Sequence, residues 1–174
     1  MTEGAESARL FLALWPDAAL QAALAGCRDA WQWPRGASRV PTGQLHLTLH
    51  FIGNVARQRL PLLGDALQVA CDPFDLALGT PELWPRGLAV LRPAVVPSSL
   101  IQLRTALGDA LRQLDLPVDA REFRPHVTLA RRAPGATPPP FSPELSWRVN
   151  GYTLVESVPG AGYRIARNFP FDYA

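Results

Sequence analysis

The 174-residue chain contains no lysine: all 17 of its basic residues are arginine. That absence excludes a Schiff-base lysine, the phosphate-cradling lysine of a P-loop, and the lysyl-nucleotide intermediate of ATP-dependent ligases. Cysteine is nearly as scarce. Cys27 and Cys71 show no CxxC spacing, so they suggest neither a disulfide framework nor a cysteine zinc site, and a reduced, cytoplasmic setting is expected. The net charge is only +2, too little for the broad positive field that grips duplex nucleic acid. No apolar run approaches the roughly 20 residues of a membrane helix. The opening, Met1 to Ala8, carries two Glu and lacks the basic-then-apolar order of a secretory signal. What remains is one domain's length, residues 1–174, whose 48% hydrophobic content suffices for a core. A monomer is expected.

Along the chain, the apolar run Arg9 to Leu14 closes at Trp15-Pro16 and reads as a buried strand. After Asp17, a candidate N-cap, Leu20, Leu24, Cys27 and Trp31 recur at helical spacing, predicting a helix to about Trp33-Pro34. Leu45 to Ile52 alternates between Gly43 and Gly53-Asn54 and reads as a strand. Leu60, Leu63, Leu67 and Ala70 form one helical stripe, with Pro61 in the first turn. Phe74 to Leu78 and Gly87 to Leu91 read as strands that could pair in a hairpin. Ser98 or Ser99 caps a helix whose stripe is Leu100, Leu103, Leu107, Leu111 and Leu114. Pro125 to Ala130 is again a strand. Arg132 to Pro143 holds five prolines and is read as an extended loop. Trp147 to Glu156 and Tyr163 to Phe169 finish as strands. Short strands alternating with three helices give an α+β or α/β layer fold. The order strand, helix, strand occurs twice, each copy ending in a His-bearing strand, which suggests two similar lobes facing one another.

Histidine occurs three times, at 46, 50 and 126. His46-Leu47-Thr48-Leu49 and His126-Val127-Thr128-Leu129 share the pattern His-x-Thr-Leu. Threonine is rare enough that one follows a given histidine two residues on by chance about one time in twenty, so a matched pair is a specific signal where one copy would be weak. On a strand, residues i and i+2 share a face. Each motif therefore presents an imidazole and a hydroxyl to a common cleft, while the residues between them face the core. A neutral imidazole can take a proton from an attacking water and a protonated one can give a proton to a departing ribose oxygen. Hydroxyls suit non-bridging phosphate oxygens. The arrangement fits in-line opening of a cyclic phosphodiester, which needs no protein nucleophile, metal or cofactor. Transition-state charge calls for a guanidinium. Arg131 is the nearest candidate, ahead of Arg132 and Arg124.

These motifs, in the contexts Leu45 to Leu49 and Pro125 to Arg131, resemble the two-histidine phosphoesterases, as does the opening strand Arg9 to Leu14. Within that superfamily the chain looks most similar to the LigT-like (ThpR-type) RNA 2′,3′-cyclic phosphodiesterases. Gly53, Leu154 to Ser157 and Gly162-Tyr163 extend the resemblance over nearly the whole chain. It implies an α+β, bilobal, pseudo-twofold fold with antiparallel sheets lining a central groove and helices outside. It also implies His46 as proton donor, His126 as proton acceptor, and Thr48, Thr128 and Arg131 as phosphate ligands. The implied partner is RNA with a 2′,3′-cyclic phosphate end, opened to a 2′-phosphomonoester, in some relatives alongside ATP-independent joining of 2′–5′ linkages. No membrane is implied. His50 stands where a small or apolar residue is expected, and the tail Asn168-Phe169-Pro170-Phe171 is only similar to the family ending.

Each residue also has a plainer reading. Either histidine alone could be a satisfied structural residue, Thr48 and Thr128 could reflect strand propensity, and Arg131 could be a solvated strand end. His46 and His50 would share a face on a helix, as a zinc pair does. On a strand they lie roughly 13 Å apart, so His50 is assigned to the core or periphery. Phe11, Trp15, Trp33 and Phe123 are read as core residues with base stacking as the alternative. Two further functions stay open: a same-fold phosphodiesterase for small cyclic nucleotides or ADP-ribose cyclic phosphate, and a non-catalytic RNA-end or nucleotide-binding module.

Overall fold

The computed structural model describes residues 6–171; most of the opening read above for a leader, residues 1–5, lies outside them. Strand β1 (Ser7–Leu14) is apolar because both of its faces are covered. Leu10, Leu12 and Leu14 enter the main core, while Phe11 and Ala13 join a smaller cluster with Val155, Trp15 and Tyr163 on the opposite face. Helix α1 (Ala18–Asp29) starts where the Asp17 carboxylate accepts the Leu20 N–H at 2.8 Å, satisfying one of the free donors of the first turn. It ends earlier than the apolar spacing predicts. Gln32 exchanges both backbone hydrogen bonds with Thr137, and the Trp33 indole N–H donates to the Arg28 carbonyl at 3.0 Å. Those bonds leave Trp31 buried but outside the helix.

Tertiary bonds also shorten helix α2 (Leu60–Ala66). The Tyr152 hydroxyl accepts from the Val69 N–H and donates to the Leu67 carbonyl, each at 2.8 Å, holding the chain in a non-helical path. Helix α3 (Ser98–Gln113) buries Leu100, Leu103, Leu107 and Leu111 as its spacing requires. Its N-cap is Pro97, so neither serine caps it.

The strands pair antiparallel throughout. Beyond β1 they are β2 (Ser38–Arg39), β3 (Leu47–Ala56), β4 (Phe74–Leu78), β5 (Thr80–Trp84), β6 (Leu88–Arg92), β7 (Val127–Arg131), β8 (Leu145–Val149), β9 (Gly151–Val158) and β10 (Gly162–Pro170). The main sheet runs β10-β9-β1-β3-β7-β6-β5, with β2 also on β7; β4 and β8 form a separate pair. The expected hairpin between residues 74–78 and 87–91 is therefore replaced. Its second strand pairs with β5, whose Pro81 is tolerated because β5 is an edge strand. The expected single strand 147–156 breaks at Asn150, where the chain passes from the small sheet to the large one. A Cβ on Gly151 would lie 2.6 Å from the Phe169 carbonyl oxygen, so that passage needs glycine.

Two halves of the large sheet meet through one residue pair, Leu47↔Val127. These residues occupy the same position in the two His-x-Thr-Leu motifs, so the pair marks the pseudo-twofold relation between the halves. Among the described residues no helix is long and apolar enough to cross a membrane.

Gly87, at φ +70°, lets the chain turn from β5 into β6 beside the segment that follows β7. A Cβ there would fall 2.5 Å from the Pro134 nitrogen and 2.6 Å from that of Ala133. Gly87→Ala is expected to cost about 2–4 kcal/mol, combining left-handed strain with a backbone clash. Urea unfolding checks this; a change within ±0.5 kcal/mol would contradict it.

Candidate active site

Burial around the two motifs matches residue for residue. Leu45, Leu47 and Leu49 are buried with His46 and Thr48 only partly buried between them; Pro125, Val127 and Leu129 are buried around His126 and Thr128 in the same way. Continued one residue each way, the antiparallel Leu47↔Val127 register sets His46 across from Thr128 and Thr48 across from His126. All four side chains line one groove of about 630 Å³.

A β-bulge follows each motif at its leucine. Ala13 pairs with Thr48 and Leu12 with His50, leaving Leu49 unmatched. Likewise Val90 pairs with Thr128 and Ala89 with Ala130, leaving Leu129 unmatched. An extra residue reverses the alternation of faces. The fifth residue after each histidine, which strict alternation would turn away, thus comes back to the groove. In one half that residue is Arg131, in the other Phe51, and both line the groove. The bulge also explains His50, turned to the core side and 3% exposed. Its Nε2–H donates to the Arg104 carbonyl at 2.7 Å, and its Nδ1 has no partner among the described residues.

Each groove histidine has its tautomer set by the same bond. His46 Nδ1–H donates to the Gln44 carbonyl at 2.7 Å and His126 Nδ1–H to the Arg124 carbonyl at 2.8 Å. A carbonyl can only accept, so Nε2 is the nitrogen left for chemistry on both rings. His46 Nε2 lies 3.1 Å from the Thr48 hydroxyl. Around His46 stand Trp15, stacked at 5.1 Å, Phe11 at 5.1 Å and Tyr163 edge-on at 5.2 Å. Burial among these rings pulls its pKa down to about 4; the Gln44 carbonyl opposes the shift and the Arg131 and His126 charges add to it. His126, edge-on to Trp84 at 4.6 Å, is also shifted down, by burial and then by Arg124 and Arg131, against the pull of the Arg124 carbonyl.

All five sequence-predicted site residues reach the groove. Of the second-choice arginines, Arg124 lines it with its guanidinium 4.2 Å over the Trp84 ring. Arg132 does not line it. Among the aromatics, Phe11 and Phe123 line the groove, Trp15 stacks on His46, and Trp33 stacks on Trp31 outside the groove. The sequence reading missed Phe51, Trp84, Arg104 and Arg121. Trp84 lies on the unrecognised strand β5, and Phe51 and Arg104 reach the groove only through the bulge and the seating of α3. A second hollow of the same volume, between the start of α1 and β8 to β10, shares no lining residue with the groove and contains no histidine. Among the described residues no group of three His, Cys, Asp or Glu side chains is placed to hold a metal ion.

A family model described as the 2′-5′ RNA ligase superfamily matches residues 16–160. The chain belongs to this superfamily. It is 34% identical over 167 residues to an RNA 2′,3′-cyclic phosphodiesterase of Thermus thermophilus, covering 86% of this chain and 81% of that protein. It is 32% identical over 157 residues to the Escherichia coli protein of the same name, covering 87% and 88%. Among solved structures, E. coli LigT complexed with 3′-AMP superposes with a TM-score of 0.85 at 28% identity, over 97% of this chain and 100% of that one.

The histidine electrostatics carry a prediction with a definite sign. Unfolded His46 holds its proton up to about pH 6.5 and folded His46 only to about 4. The unfolded chain therefore binds more protons between those values, and stability falls as pH drops through that window. Ring ¹⁵N NMR should show His46 neutral at pH 7 and protonated at Nδ1, titrating near 4, then moving upward when inorganic phosphate is added. A free-protein pKa at or above 6.5 would contradict the burial argument.

Proposed function

We propose that this protein opens RNA 2′,3′-cyclic phosphate ends to 2′-phosphomonoesters by paired imidazole catalysis. The observation that carries the reading is the meeting of two identical motifs at Leu47↔Val127, which turns two Nε2 atoms and two threonine hydroxyls into one groove. The phosphate sits between the hydroxyls of Thr48 and Thr128, with Arg131 offsetting the charge that builds on its oxygens. His126 removes a proton from water as the oxygen attacks phosphorus. The bond to the ribose 3′ oxygen breaks, and His46 gives that oxygen its proton.

Burial holds the pKa of free His46 down to about 4, so His46 can serve as the acid only once it has been loaded with a proton. His126 is also shifted down by burial, and the division of roles follows the family resemblance rather than these shifts. The charge of the bound phosphate helps load His46, because an adjacent anion raises the pKa of a base. With a 5′-hydroxyl in place of water as the attacking group, the same step would join ends through a 2′–5′ linkage without ATP: His126 takes the hydroxyl proton, the bond to the 3′ oxygen breaks, and His46 protonates that oxygen. The enzyme is proposed to act as a cytoplasmic monomer.

His46→Ala and His126→Ala are each expected to lower kcat by about 10²–10⁴-fold with the circular dichroism spectrum unchanged; wild-type turnover in either would overturn the assignment. Activity should persist in excess EDTA, and loss restored by zinc would overturn the two-imidazole account. Phosphorus NMR of products from a cyclic mononucleotide, a cyclic-ended oligonucleotide and ADP-ribose cyclic phosphate should show a 2′-phosphomonoester from the RNA end. Binding of a 2′-phosphate with no turnover of any cyclic substrate would indicate a non-catalytic module instead.

A further inference from the structure

Arg104, on α3, lines the groove. Three contacts hold it there. Its guanidinium carbon lies 4.5 Å over the Phe123 ring, its Nε–H donates to the Leu49 carbonyl at 3.4 Å, and its own carbonyl takes the His50 Nε2–H. The Leu49 carbonyl belongs to the bulge, and the His50 bond pins this turn of α3 to β3. Arg104 is thus a fixed cation on a half-buried stem rather than a free surface arginine.

No ion pair balances it. Among the described residues no carboxylate lies within salt-bridge distance of Arg104, and its two Nη groups have no hydrogen-bond partner. Asp119, the groove carboxylate whose charge it feels, is engaged bidentately by Arg121. Burial works against the Arg104 charge, yet guanidinium does not deprotonate in proteins. A fixed, partly desolvated cation with free donors is a site for an anion.

Its position indicates which one. Its Nε–H donates to the carbonyl of Leu49, the residue that follows Thr48, and Arg104, Thr48 and the 66% exposed Phe51 all line the one groove. An anion on Arg104 therefore sits in the same groove as the phosphate held at the histidines. Taken with Arg121, Arg124 and Arg131 against Asp119 and Glu122, the walls carry a net positive charge suited to more than one phosphate.

We propose that Arg104 binds the phosphodiester on the 5′ side of the terminal nucleotide, making this protein selective for RNA ends over nucleoside 2′,3′-cyclic phosphates. This rests on the cyclic phosphodiesterase reading and specifies its substrate. The test compares kcat/KM for three substrates: adenosine 2′,3′-cyclic phosphate, the dinucleotide ApA with a cyclic end, and that dinucleotide with an uncharged methylphosphonate linkage. Wild type should favour the charged dinucleotide by about tenfold over either of the others. Arg104→Gln should erase that preference, adding no loss on the methylphosphonate, and Arg104→Lys should keep part of it. Survival of the preference in Arg104→Gln, or an equal loss on all three substrates, would overturn the proposal. So would a wild type that does not distinguish charged from neutral linkages. Failure of the wild type to turn over even the cyclic mononucleotide, while still binding a 2′-phosphate, would instead overturn the cyclic phosphodiesterase reading on which this one rests.

Discussion

Everything at the groove depends on how two strands touch. β3 and β7 share one residue pair before diverging. Antiparallel pairing at Leu47 and Val127 places each histidine across from the other motif's threonine and gives all four side chains one face. A register slip of one residue would turn one motif's imidazole and hydroxyl into the core. The buried leucines on either side specify the register, because exposing Leu45, Leu47 and Leu49 would remove three fully or nearly fully buried side chains from the core. By area arguments each is worth about 1.5–3 kcal/mol.

The site was far more legible in the sequence than the elements that frame it. Two copies of a four-residue pattern, with period-2 burial on each side, located His46, His126, Thr48 and Thr128. Arg131 was found by proximity alone, and the reason it works was not visible. Nothing in Thr48-Leu49-His50 or Thr128-Leu129-Ala130 signals a bulge, because a bulge is set by the partner strand. Helix ends were misjudged for a similar reason: Tyr152 and Thr137, distant in sequence, supply the bonds that stop α2 and α1. β5 escaped notice because a proline and two turn-forming neighbours masked an edge strand that only needs to pair on one side.

Burial and charge act together on the histidines. The aromatic wall around His46 lowers its proton affinity more than the nearby arginine does. The two imidazoles are held in one tautomer when the groove is empty, both rings committed through Nδ1–H to a carbonyl two residues back. No reorientation is required before Nε2 meets a ligand. That preorganisation comes from local backbone geometry, which explains how two short motifs can carry it without a buried carboxylate behind either ring.

The pairing of Phe51 with Arg131 across the pseudo-twofold bears on direction. A cradle with true twofold symmetry would accept a phosphodiester equally well forwards and backwards, and its two imidazoles would be interchangeable. Here one half ends in a charged planar group and the other in an uncharged ring of similar reach. The two equivalent bulges deliver them to equivalent places, so the fold supplies the symmetry and this residue difference is one of those that break it. A chain with chemical polarity, laid in this groove, meets unlike ends and has one way round.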